Sequence, residues 1–296
     1  AEYGGKAFLT GINRVVKVNI GVQLLIYLTG RGRIFREYWG AVRYQGTFND
    51  PNQLAFFLFM MILLLYLYRC RFGDRSFPVF YVLALPVIAA SKSTGILLGV
   101  LIFTVLAVLH ALYRVGCRKG VSMKVWTLGI VIGVVLFGLF LWWIWPAADF
   151  DVKTVDYNML TRIQEKIWKV AHGGLLGLFL DRGMEKLVLY PQYLLYGAGE
   201  GGFDRFTLAS QVNEIHCCLF SVMFCYGLIP TLCLLVWLGR KLRYADAAMA
   251  CAVMGLLAES FFLVNYRQPM FWMILLYGSV VRMDGDGERT SIPVAE

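Results

Sequence analysis

Leu195-Tyr-Gly-Ala-Gly-Glu-Gly-Gly-Phe203 and Asn213-Glu-Ile-His216 close a long stretch, Ala147 to Glu214, that hydrocarbon would not dissolve, and apolar runs of helical length flank it on both sides. That contrast decides the fold class. The composition agrees: 59% of residues are apolar and 16% charged, with a mean hydropathy of +0.63, whereas soluble domains run at roughly 45 to 50% and about 25%. The expectation is an all-α membrane protein, a multispanning helical bundle with one long extracytoplasmic loop.

A helical span needs about 20 apolar residues, fewer where flanking side chains snorkel. Working outward from the loop, the runs are Val125 to Ala148, Thr94 to Tyr113, Ser76 to Ser91 and Asn52 to Tyr68 on one side, and Ile215 to Gly239, Ala247 to Tyr266 and the short Gln268 to Val281 on the other. A weaker run covers about Val18 to Thr29, which makes about eight spans. Membrane helices are therefore expected over 1–146 and 215–282, with the loop at 147–214 and a disordered cytoplasmic tail at 283–296. The start at Ala1, with no cleavable leader pattern, predicts that earlier spans are missing.

Basic residues in short loops set the orientation. Arg69, Arg71 and Arg75 form one cluster, Arg114, Arg118, Lys119 and Lys124 a second, Arg240, Lys241 and Arg243 a third. All three fall on one side if each run crosses once. That side is cytoplasmic, so 147–214, 30–51, Ser91-Lys-Ser93 and Asn265-Tyr-Arg267 lie outside. The same loops account for the net charge of +9, so no nucleic-acid partner is implied. Seven cysteines sit in or beside apolar runs without a Cys-x-x-Cys pair, which favours neither a zinc site nor a disulfide framework.

Inside the long loop, Met159, Ile163 and Ile167 recur every four residues behind Asp156 and Asn158 as candidate caps. This predicts an amphipathic helix lying on the membrane or the bundle. Leu175 to Leu180 and Leu187 to Tyr196 are further apolar stretches.

Cations on the outer face run against the positive-inside bias. Arg31, Arg33 and Arg36 are explained by lipid headgroups. Arg43 precedes the turn-rich Gly46-Thr-Phe-Asn-Asp-Pro-Asn-Gln53, where a guanidinium could grip phosphate oxygens in a fork. Lys92 sits in the tightest turn of the chain. It is either solvated or joins Arg43, Arg162, His216 and Arg267, from five segments, on one anion. His216 opens a span behind Glu214 and is either a water-facing helix end or a general base, with Glu214 orienting it or acting as base itself. Glu259, within a span, requires a partner and reads equally as polar glue or as a catalytic group. Gly197, Gly199, Gly201 and Gly202 lack the strand and helix of a dinucleotide fingerprint, but their amides could cradle an anion. No carboxylate cluster outside the membrane suggests a metal-assisted diphosphate site, and no cofactor is expected.

Arg43-Tyr-Gln-Gly-Thr-Phe-Asn-Asp-Pro-Asn-Gln-Leu-Ala55 entering a span, Ser91-Lys-Ser-Thr-Gly95 between two spans, and Arg162 with Trp168 followed by Gly197-Ala-Gly199 and His216 together resemble the O-antigen ligase and polymerase family. The likeness covers about residues 40–282. Cys217 stands where the family usually has Asn, and Thr94 where it often has Arg. The resemblance implies a polyprenol-dependent glycosyltransferase of the bacterial inner membrane. It would move a glycan from undecaprenyl diphosphate to an acceptor sugar hydroxyl on the outer face, in building O-antigen or another surface polysaccharide. It implies that Arg43 and Arg162 bind the diphosphate and that His216 serves near the acceptor. On the residues themselves, Lys92 and Arg267 join the diphosphate contacts, and the membrane lipids and a glycan or lipid-linked acceptor are the other partners. A transporter or flippase of an anionic lipid or solute is the competing expectation; it predicts polar or broken helices at the bilayer midplane.

Overall fold

The computed structural model describes residues 2–37, 41–119, 123–146, 151, 157–209 and 214–277. It is mostly helical. The first helices are α1 (Glu2–Leu28), α2 (Pro51–Phe72), α3 (Phe77–Ser91), α4 (Thr94–Lys119) and α5 (Met123–Trp143), with a hairpin of β1 (Arg33–Arg36) and β2 (Val42–Gly46) between α1 and α2. Then follow α6 (Met159–Asp181), the short α7 (Lys186–Leu189) and α8 (Tyr193–Tyr196), a 3-10 turn Phe203–Arg205, α9 (Cys218–Tyr226), α10 (Leu228–Arg243) and α11 (Ala247–Ser260). Residues 269–277 form α12. Among the described residues, Pro51–Phe72 and Thr94–Gly116 are long and apolar enough to cross a membrane.

Helix α2 organises the rest. Asp50 caps it by accepting from the amides of Asn52 and Gln53, Pro51 occupies the first turn where its missing N–H costs nothing, and Gly73 closes it in the left-handed region. It is apolar all round, so it is stable only when sheathed. Leu54, Leu58, Phe59, Ile62 and Leu63 are all fully buried, with α1, α3, α4 and α11 around it. Polar side chains fix the order of the ends. Lys17 pairs with Asp74 beyond the C-terminus of α2, while the N-terminus of α2 meets the α3–α4 turn through Asn52 and Ser93. Helices α4 and α11 cross at glycines: a Cβ on Gly99 would stand 2.9 Å from the carbonyl oxygen of Gly255, and one on Gly255 would stand 2.7 Å from Phe103 Cβ. Small residues here let two apolar helices touch backbone to backbone.

Three expectations need correction. The run Ile215 to Gly239 is two helices, broken at Gly227 with φ 87°; a side chain there would strike Leu195 O and Gly197 N. The run Ala247 to Tyr266 leaves the helix after Ser260, where Glu259 accepts from Asn265 Nδ2 at 2.7 Å. Residues 30–51 are not plain loop, since Ile34 pairs with Tyr44 and Phe35 with Arg43 in an antiparallel hairpin. The expected helix of the long loop is present as α6, capped by Asn158 and kinked at Gly174. Asp156 and the tail from 283 lie outside the described residues. Leu187, Phe206, Ile215, Cys217 and Phe224 make a second, smaller core, which holds α7, α8 and α9 together.

Candidate functional site

In strand β2 Val42 is exposed while Arg43 and its neighbour Tyr44 are both buried. The donors of Arg43 are largely committed: Nε to Ser91 O at 2.9 Å, an Nη to Asn52 Oδ1 at 2.9 Å, the other towards Glu37 at 3.4 Å. Arg43 thereby ties the hairpin to both the α2 and α3 ends. Burial, and then the nearby Arg162, press its pKa downward.

Lys92 caps α3 at φ 52°, the positive-φ residue other than glycine among the described residues. The turn aims its ammonium at Val42 O and Tyr157 O, both at 2.7 Å. It also stands 4.6 Å from the centre of the Tyr157 ring, with the Arg162 guanidinium 5.8 Å from the same centre. An aromatic face is the surface on which two cations can be held close together. Burial lowers the Lys92 pKa, as do Arg43 and Arg162. Arg43, Lys92 and Arg162 therefore converge, from β2, the α3–α4 turn and α6.

Helix α6 extends this charge. The buried Glu165 accepts from Arg162 at 2.7 Å and lies 3.3 Å from Lys169. Lys166, one turn after Arg162, is pushed down to about 8, by burial first and then by Arg162, with Lys169 and Arg182 adding to it against Glu165. Sequence reading missed Lys166 and Arg182. Lys166 passes there for the polar side of an amphipathic helix, and Arg182 for the end of an apolar stretch.

His216 lies in a bend before α9, half-buried, with its amide bonded to Arg182 O at 2.9 Å. Its ring makes no hydrogen bond to a described residue. Burial lowers its pKa, Glu214 and Asp50 pull it back up, and Arg182 and Lys186 push it down. The charges that act on His216 are those of Glu214, Arg182, Lys186 and Asp50, and Asp50 also acts on Arg43. A neutral imidazole is the form that can accept a proton.

Arg267 and Glu214 are engaged with each other. Arg267 pairs with the carboxylates of both Glu200 and Glu214, and Glu200 also accepts from the hydroxyls of Tyr226, at 2.7 Å, and Tyr266. The glycine loop does not present its first amides to an anion: those of Gly197, Ala198 and Gly199 donate to Tyr193, Phe224 and Cys225 carbonyls. Glu259 is fully buried and bonded within its own helix end.

Chemically, this geometry offers a group of fixed cations, Arg43, Lys92 and Arg162, for a multiply charged anion. Comparison with protein-family models, with curated proteins and with solved structures finds no match.

Proposed function

We propose that this chain is a multispanning glycosyltransferase of the bacterial inner membrane that moves a glycan from an undecaprenyl-diphosphate donor to an acceptor sugar hydroxyl on the extracytoplasmic face. The observation that carries the reading is the convergence of Arg43, Lys92 and Arg162 from three separated segments; His216, half-buried and with its ring free of hydrogen bonds to the described residues, is assigned the base's role within this reading. Exposed apolar side chains such as Phe8 and Val18 on α1, Val82 on α3, Val108 on α4 and Ile229 on α10 support a lipid surround, because soluble chains seldom expose so much apolar surface.

In this mechanism the acceptor oxygen attacks the anomeric carbon from the face opposite the diphosphate and inverts it. His216 takes the hydroxyl proton. The bond from the anomeric carbon to the phosphate oxygen breaks, and negative charge grows on the diphosphate, where Arg162 and its neighbours stabilise it. Fixed charges do this without reorganising during the step. Arg267, engaged by two carboxylates, supports the His216 segment through Glu214 rather than meeting the leaving group.

A transporter would find its broken helix at Gly227. However, the amides of Ala198 and Gly199 already take the carbonyls of Phe224 and Cys225 there, so the break is closed by this chain's own loop. The test is transfer in proteoliposomes from a purified undecaprenyl-diphosphate glycan to a sugar acceptor. Product with inverted anomeric configuration is expected; donor crossing the bilayer unaltered, with no product, would overturn the reading.

A further inference from the structure

The cations around Tyr157 are not equivalent. Arg43 spends its donors on Ser91 O, Asn52 and Glu37, and Lys92 spends two of its three on backbone carbonyls. These two hold loops in place. On α6 the accounting differs. Glu165 serves Arg162 and Lys169 together, while Arg162 Nε is buried with no hydrogen-bond partner. Lys166, half-buried and one turn along from Arg162, makes no hydrogen bond or ion pair among the described residues. A buried donor without an acceptor carries its full desolvation cost, and like charges four residues apart on a helix repel. Both penalties fall on one face of one helix, and a single multiply charged anion would remove both.

We propose that Arg162 and Lys166 are the direct ligands of a diphosphate on α6, with Lys166 a substrate-binding residue for the leaving group and Arg43 and Lys92 positioning residues that hold the surrounding turns. The inference rests on the glycosyltransferase reading for the identity of the diphosphate, but not for the existence of the anion site. Its chemistry fits the diphosphate ester of a lipid and free diphosphate alike. A bound anion shields Lys166 and also draws its proton on more tightly, because an opposite charge nearby favours the ammonium form. The unprotonated amine, which Lys166 exposes near pH 8 more than an ordinary lysine does, would therefore be lost on binding.

The test is lysine-by-lysine reductive methylation of the full chain in lipid nanodiscs at pH 8, read by mass spectrometry, with the exposed Lys6 as internal reference. It is run without ligand, with inorganic pyrophosphate, and with undecaprenyl diphosphate. Labelling of Lys166 is expected to fall severalfold with diphosphate while Lys6 is unchanged, and the more effective probe tells a lipid-borne from a soluble ligand. Lys166→Met should weaken binding of that probe about tenfold or more, and Lys166→Arg should restore most of it. Unchanged labelling at saturating probe, or full affinity in Lys166→Met, overturns the inference. Protection of Lys166 in a protein that transfers no glycan would uphold the anion site and defeat the glycosyltransferase reading. Glycan transfer with unprotected Lys166 would do the reverse.

Discussion

Arg267 and Arg162 are both arginines paired with carboxylates, yet their surroundings are balanced in opposite directions. Arg267 meets two acids, Glu200 and Glu214, and Glu200 is itself satisfied by two tyrosine hydroxyls. That cluster is closed, and it staples the end of the α8 loop to the turn before α12. Arg162 shares one acid, Glu165, with Lys169, and has Arg43, Lys92 and Lys166 within electrostatic range. That cluster is open. A surplus of fixed cations that the fold has not neutralised marks where an anionic ligand belongs, whereas a neutralised arginine marks a joint.

The largest effect is expected at His216, the base of the proposed transfer. His216→Ala should lower turnover about 10²- to 10⁴-fold with donor binding largely retained. The sign of the pH dependence follows from burial, which depresses the ring's pKa below its ordinary 6.5. Neutral imidazole is then present at pH 7, and activity should fall only as the pH drops through that lowered value. An acid limb centred above pH 6.5 in the wild-type turnover profile would remove His216 from the base's role.

At the closed cluster the expected loss is stability instead. Arg267→Ala leaves Glu200 and Glu214 facing each other without a cation and should cost about 1 to 2 kcal/mol, discounted because the pair is about a third exposed. Thermal unfolding in detergent reads it; an unchanged melting temperature would mean that Arg267 is not a joint. The smallest effect is expected at Asp50, the cap of α2. Asp50→Ala should cost about 1 kcal/mol through the lost cap of α2. It should also shift the acid limb slightly to lower pH, since Asp50 raises the His216 pKa. A shift to higher pH would place another group in control.

The helices were legible where apolar runs are long. Asn52 to Tyr68 and Thr94 to Tyr113 sit inside α2 and α4, and the cap signal at Asn158 acts as the residue suggests. What stayed hidden depends on partners distant in sequence. Gly227 breaks a run that is apolar on both sides of it, and the reason is the backbone of Gly197 lying against it. The hairpin escaped because Arg33-Ile-Phe-Arg36 is short and bounded by cations, so its alternation reads as scattered charge. Among the proposed site residues, Arg43, Lys92 and Arg162 stand out in the sequence because the expected topology puts them on the face that positive-inside bias disfavours. Lys166 does not, since a lysine on the polar side of an amphipathic helix is unremarkable until its turn-mates are known. Nor does sequence say that Arg267 is neutralised, because Glu200 and Glu214 reach it from 67 and 53 residues away.

The most direct test sets the open cluster against the closed one: titration of undecaprenyl diphosphate into the nanodisc-embedded chain, comparing wild type, Arg162→Ala and Arg267→Ala. The account predicts that Arg162→Ala weakens binding by about tenfold or more, while Arg267→Ala stays within about threefold of wild type. Equal affinity in all three, or a larger loss in Arg267→Ala than in Arg162→Ala, would contradict it.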